Sequence, residues 1–288
     1  MRDTHPPSRS VVVGIDGSRS GLTAALWAVD EAVHRDLPLR LVYAIDPQAD
    51  PVVAEDAARR LATAEIAVRQ AFTTVESTAK PVKIEVEILQ GRPTNVLREA
   101  SRGAAMVCIG AIGLKHATGA SVGSTAAALA AASHCPIAIV RRHDPRATAR
   151  RSIVVEVDKS PDSSGVLDRG VEEALLREAP LVVISTWRPN STDRHGEAQN
   201  GEQSHQLTAE LSRRLARTVR KHPDLEVRPI AVRGNLLDYL AGHSQTIQLV
   251  VIGRRRARGV TEIVGPSSEA ALHDTDCSVL VCDSLSSL

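Results

Sequence analysis

Residues Ala104–Ser133 read AAMVCIGAIGLKHATGASVGSTAAALAAAS. The segment opens on an apolar run and closes on an alanine-rich one. Between them stand four glycines, Gly110, Gly113, Gly119 and Gly123, and the last leads into Ser124 and Thr125. A short apolar run bounded by glycine reads as a buried strand, and Gly123–Ser133 reads as a helix. Strand, loop and helix in that order are the repeating piece of a parallel sheet, which predicts an α/β fold. In such sheets ligands bind beyond the carboxyl ends of the strands, and Gly110 stands at one. A helix start offers unpaired N–H groups and partial positive charge, which suit phosphate. Glycine at 110 and 113 would let backbone approach a ligand closely. Ser124 and Thr125 would add hydroxyls, and Lys115 and His116 could reach an anion. The same residues also suit plain turn punctuation with Ser124 as a helix cap. No Gly-Lys-Ser/Thr closes the loop, and it is not a compact G-x-G-x-x-G turn.

Working outward, the first half alternates strand-like and helix-like segments. Strands are expected at VVVGI from Val11, LRLVYAI from Leu39, VKIEVEIL from Val82, AAMVCIG from Ala104 and IAIVR from Ile137. Helices are expected at Leu22–Val33, Pro51–Thr74, Pro93–Ser101 and Gly123–Ser133. The pattern then repeats. SVVVGIDGSRS from Ser10 returns as SIVVEVDKSPDS from Ser152, and HCPIAIV from His134 as DCSVLVC from Asp276. Asp16 and Asp158, Cys135 and Cys277, and Gly123 and Gly265 are each 142 residues apart, and Gly110 and Gly253 are 143 apart. In the second half strands are expected from Ile153, Leu181, Val227, Leu249 and Ser278. Helices are expected at Gly165–Glu178, His205–His222 and Leu236–Gly242, with Pro189–Ser204 as a polar, mobile connector. A period this long marks a duplicated domain. The expectation is two tandem doubly wound domains, 1–145 and 146–288, each a five-stranded parallel sheet flanked by helices in the Rossmann-like manner. The basic stretch RRHDPRATARR from Arg141 is the linker.

The pattern Gly110-x-x-Gly113, nine residues, Gly123-Ser124 resembles the ATP-binding signature of the universal stress protein family. Asp16 in VVVGIDGS resembles that family's acidic residue at the end of the first strand, and HCPIAIV resembles its last strand. The resemblance covers both halves and implies a tandem protein of this type. It implies that Asp16 and the backbone of Ile15 sit beside the adenosine, with the backbone of Ala44 at the adenine edge. Ile109 and Gly110 would line the ribose, and Gly113, Gly123, Ser124 and Thr125 would hold the phosphates. The expected ligand is ATP, with or without Mg2+, and its occupancy would order the 111–122 loop and change a surface read by regulatory protein partners in stress adaptation or growth control. The halves are expected to form a pseudo-dimer through their last strands, and whole chains to form a homodimer.

The second half departs from this pattern. In GRRRARGVTEIVGPSSE from Gly253, Arg256 stands in place of the second glycine and Pro266 in place of the serine, removing an N–H. Glu156 replaces Gly14. Weak or absent ATP binding is expected there, with the arginines as a solvated basic loop. The competing reading has Arg254, Arg255, Arg256 and Arg258 holding an anion by charge.

Composition narrows the rest. Aromatic residues are 2% of the chain, so the core must come from Val, Ile, Leu and Ala. A net charge of +1, with no aromatic platform beside the arginine clusters, gives no case for nucleic acid. No apolar run reaches membrane-span length and MRDTHPPSRS lacks a signal-peptide core, which predicts a cytoplasmic protein. The four cysteines lie in or beside apolar runs and read as buried thiols. No H-E-x-x-H or C-x-x-C occurs, and no nucleophile, base and orienter stand together, so neither a metal site nor a catalytic residue is expected. A binding module fits better than a fast enzyme. The alternatives are a slow ATPase or ATP-using transferase at the same site, and an interaction scaffold with a vestigial pocket.

Overall fold

The computed structural model describes residues 9–47, 54–113, 122–144, 151–158, 160, 163–188, 197–256, 259–264 and 277–283. The chain forms two compact units, one built on Met1–His143 and the other on Asp144–Ile263 with Ser267–Leu288.

In the first unit β1 (Ser10–Ile15), α1 (Arg19–His34), β2 (Leu39–Ile45), α2 (Ala54–Glu76), β3 (Ile84–Gln90), α3 (Pro93–Ala100), β4 (Ala104–Gly110), α4 (Ser124–Ala132) and β5 (Ile137–Val140) follow in order. The strands lie β3-β2-β1-β4-β5, and the paired strands run parallel. Val11, Val12 and Val13 are wholly buried, as are Ala24, Ala25, Ala28 and Ala32 on the inner face of α1. Small alanines let α1 lie close to the sheet, which is how a chain poor in aromatics closes its core. The order reverses direction between β1 and β4, so the ligand crevice of this unit opens beyond their carboxyl ends.

The second unit repeats the arrangement: β6 (Ser152–Glu156), α5 (Ser163–Leu176), β7 (Leu181–Trp187), α6 (Glu197–Lys221), β8 (Val227–Arg233), α7 (Leu236–His243), β9 (Ile247–Gly253), the single turn α8 (Thr261–Val264) and β10 (Ser278–Cys282). Its strands lie β8-β7-β6-β9-β10, again parallel, and the switch point falls between β6 and β9. Helix α6 starts at Glu197, eight residues before the expected His205. The added residues are polar and carry no apolar stripe, so hydrophobic periodicity is silent there, while Glu, Ala and Gln sustain a helix by propensity. The four cysteines are buried thiols. Among the described residues no helix is long and apolar enough to cross a membrane.

Candidate functional site

The first-unit crevice begins at the turn that leaves β1. Gly17 has φ of 81°, a left-handed conformation glycine adopts without cost. This folds the chain so that Asp16 Oδ1 accepts the Ser18 N–H at 2.9 Å. Ser18 Oγ in turn accepts the Gly21 N–H at 3.0 Å and caps α1. Asp16 is thus a turn residue, and it also faces the crevice. A Cβ placed on Gly113 would stand 2.8 Å from Asp16 Oδ2, so that oxygen is directed at the opposite wall. Tyr43, near the end of β2, lies within electrostatic reach. Its own burial, and then the Asp16 charge, push its hydroxyl above the ordinary range, so it stays protonated. Sequence reasoning chose Ala44 and missed this neighbour. An aromatic residue beside a strand end was the available signal.

The opposite wall is the loop after β4. The Ala111 N–H donates to the Val140 carbonyl at 2.9 Å, and the Gly123 N–H donates to the Ala111 carbonyl at 2.7 Å. The second bond ties the start of α4 to the strand end. Gly123 is the N-cap of α4 and supplies no side-chain cap. Among the described residues nothing hydrogen-bonds the Ser124 or Thr125 hydroxyl, and Ser124 is exposed. The α4 start is therefore uncapped and polar, with its N-cap tied beside the crevice. Asp16, Gly113 and Gly123 are brought together by the Asp16–Gly113 approach and by the 3.8 Å between Gly113 N and a Cβ on Gly123. Ala44 is half-buried next to Tyr43.

Three of the expected residues serve other ends as well. A Cβ on Gly110 would meet Ser20 Oγ at 2.4 Å and the Ser20 carbonyl carbon at 2.6 Å. Glycine is needed there for the approach of α1. Ile15 and Ile109 are 4% and 5% exposed, so their side chains belong to the core and only backbone is available to a ligand. Lys115 and His116 lie outside the described residues.

The matching crevice of the second unit is built differently. Arg256 Nε and Nη2 donate to the two carboxylate oxygens of Glu156 at 2.6 and 3.0 Å. Its Nη1 donates to Glu262 at 2.6 Å and to the Gly259 carbonyl at 2.9 Å. The Arg256 and Glu156 side chains are 6% and 9% exposed. Burial opposes the Arg256 charge, but the two glutamates outweigh it and hold the guanidinium above its ordinary range. The expectation of a solvated basic loop is therefore corrected for Arg256 and for Arg254, which donates to Asp283 at 2.9 Å with its side chain 10% exposed. Arg255 is exposed, and Arg258 lies outside the described residues. The substitutions at the positions of Gly14 and Gly113 answer each other. One supplies a carboxylate and the other the cation that fills the space with it. Asp158 is also committed. Its Oδ1 accepts both the N–H and the hydroxyl of Ser160, at 2.8 and 2.5 Å, and the Ser163 hydroxyl at 2.5 Å.

The sequence matches the Universal stress protein family over residues 7–141 and again over 149–283. Universal stress protein Rv2028c of Mycobacterium tuberculosis is 47% identical over 284 residues, covering 98% of this chain and 98% of its own. Universal stress protein Rv2624c of the same organism is 39% identical over 277 residues, covering 96% of this chain and 97% of its own. Among solved structures, a universal stress protein from Archaeoglobus fulgidus aligns with a TM-score of 0.69 at 18% identity, covering 95% of each chain. That likeness bears on the fold alone.

Proposed function

Because this chain belongs to the universal stress protein family, carrying two tandem domains of it, we propose that it binds ATP in the first unit and acts as a nucleotide-dependent regulator of stress response or growth. One observation carries the reading: α4 starts without a side-chain cap and is tied by the Gly123–Ala111 bond beside the switch point. The residues present fit the ligand. The first turn of α4 offers N–H groups, the Ser124 and Thr125 hydroxyls add donors, and Gly113 leaves open the space a Cβ would take from Asp16. Asp16 Oδ2 would accept from ribose hydroxyls while Oδ1 keeps the turn closed. The Ala44 backbone would meet the adenine edge. No nucleophile, base and orienter converge among these residues, which favours retention of the nucleotide over rapid turnover. The same reading takes 1–145 as the nucleotide domain and 146–288 as a domain whose crevice the Arg256–Glu156 pair narrows against a nucleotide.

The test is to purify the full chain under native conditions, denature it, and count released nucleotide by chromatography. About one ATP per chain is expected, since the α4 start is uncapped beside the first-unit switch point. No nucleotide, and no binding when ATP is added, would remove the reading. About two per chain would mean that the Arg256 arrangement does not close the second unit.

A further inference from the structure

We infer that the second unit holds a compact aromatic carboxylate in a cavity at the carboxyl ends of β6, β7 and β9. The cavity has a volume of about 270 Å³, and Asp158, Thr186, Trp187, Arg188, Gly253 and Arg255 line it. This is just under the roughly 300–1,000 Å³ of sites for drug-sized ligands, so the occupant is small. The Arg256–Glu156 pair forms part of the wall and takes the room a longer ligand would need.

Charge identifies the polar end. Four arginines, at 188, 254, 255 and 256, line the cavity with three carboxylates, Glu156, Asp158 and Asp283. Each carboxylate is already engaged: Glu156 by Arg256, Asp283 by Arg254, and Asp158 by the two serines. With Glu262 behind Arg256 and Arg214 at the mouth counted as well, five arginines face four carboxylates, and the one positive charge in excess matches a monoanion. Arg188 is exposed on this wall and has no hydrogen bond or ion pair among the described residues. Arg214 adds positive charge near the mouth, where its Nη1 donates to the Asp158 carbonyl at 3.1 Å. A phosphate dianion would bring a second negative charge beside Glu156 and Asp158, whereas a carboxylate brings one and matches the guanidinium fork.

The remaining wall identifies the body. Trp187, Val157, Val166 and Cys282 give an apolar surface with one flat aromatic face, suited to an offset-stacked ring. Burial pushes the Cys282 thiol up to about 12, so it stays neutral. The Trp187 Nε1 is buried without an acceptor among the described residues, so the indole is held in the wall by packing.

Benzoate is the probe, followed by saturation-transfer NMR on the full chain with ATP present in excess. Benzoate should give transfer and its neutral isostere benzyl alcohol should not. Arg188→Ala, at an exposed position, should leave the unfolding midpoint in place and weaken benzoate about fivefold or more, as loss of a charge-assisted bond requires. The site lies in the other unit from the proposed nucleotide, so ATP should not displace the probe, and the result stands whether or not the first unit binds ATP. Absent transfer, transfer undiminished in Arg188→Ala, or displacement by ATP would overturn the assignment. Phenyl phosphate binding more tightly than benzoate would overturn the carboxylate in favour of a phosphate monoester.

Discussion

Asp16 divides its carboxylate between the β1–α1 turn and the crevice, and the two glycines nearby separate these tasks experimentally. At Gly110 the neighbour of an added Cβ is Ser20 backbone at 2.6 Å, which cannot yield cheaply. Gly110→Ala should destabilise the first unit by about 1–3 kcal/mol, the usual cost of overpacking, read by urea denaturation. At Gly113 the close contact among the described residues is the Asp16 Oδ2 atom at 2.8 Å, the end of a side chain that can turn aside. Gly113→Ala should change stability by no more than about 0.5 kcal/mol and still lower bound ATP, because the carboxylate moves out of place. Equal losses of stability in both variants would contradict this division. In the second unit burial would raise the Asp158 carboxyl, but the Ser160 and Ser163 hydroxyls and the Ser160 N–H outweigh it and hold it below its usual range. A lowered folded-state value gives stability that is complete above the unfolded carboxylate range and lost as pH falls through the folded value. Asp158→Asn should therefore be less stable than wild type near pH 7, with the gap narrowing below about pH 4. A gap that widens in acid would refute the assignment.

Helix α4 shows how an element can be left less stable than its sequence allows. Gly123 has φ of −69° and ψ of 155°, a cap conformation any residue adopts, and among the described residues the nearest atom to a Cβ there is the Ala111 carbonyl oxygen at an ordinary 3.5 Å. Gly123→Asp should cap α4 and raise stability by a few tenths of a kcal/mol, while lowering ATP per chain, because the new carboxylate takes the N–H groups and repels phosphate. Calorimetry and the nucleotide count should then move in opposite directions. Proline at 123 would not separate the two effects, since it also removes the 2.7 Å bond to Ala111. The strands were legible from apolar runs, and the duplication from landmarks such as Asp16 and Asp158, because burial and repetition are written directly in residue order. The start of α6 was not, since nothing apolar marks Glu197–Ser204. Nor was the reason for glycine at 110, which depends on Ser20 approaching from a different element. The Asp158 turn was half legible: the repeat aligned the aspartate, but which serines close on it depends on geometry.

Across the whole chain, the duplicated parts kept their supports and changed their crevices. Glu31 and Glu173, 142 residues apart, are both wholly buried, and each pairs with an arginine one helical turn on, Arg35 at 3.0 Å and Arg177 at 2.5 Å. The same ion pair thus stands at the same place in both units. At the switch points the two units diverge in a correlated way. In one, Gly14 lies against the Leu97 and Ile109 side chains and Gly113 faces Asp16, and in the other Glu156 and Arg256 bring a charge pair to the matching positions. If the pair evolved as a unit, losing Arg256 alone should cost more than losing it together with Glu156. Arg256→Gly alone leaves Glu156, 9% exposed, without its bidentate partner, and should cost about 3–5 kcal/mol. Adding Glu156→Gly should recover a large part of that loss, giving a coupling of about 2 kcal/mol or more in a double-mutant cycle by urea denaturation. The double variant carries the first unit's residues at both positions, yet its nucleotide count should stay at about one per chain, because Pro266 offers no N–H to an anion. Asp158 is also held by Ser160 and Ser163, so it does not take the place Asp16 has in the first unit. Additive single effects would show that the two substitutions arose independently. A second bound ATP would show that the ion pair alone keeps the second unit closed.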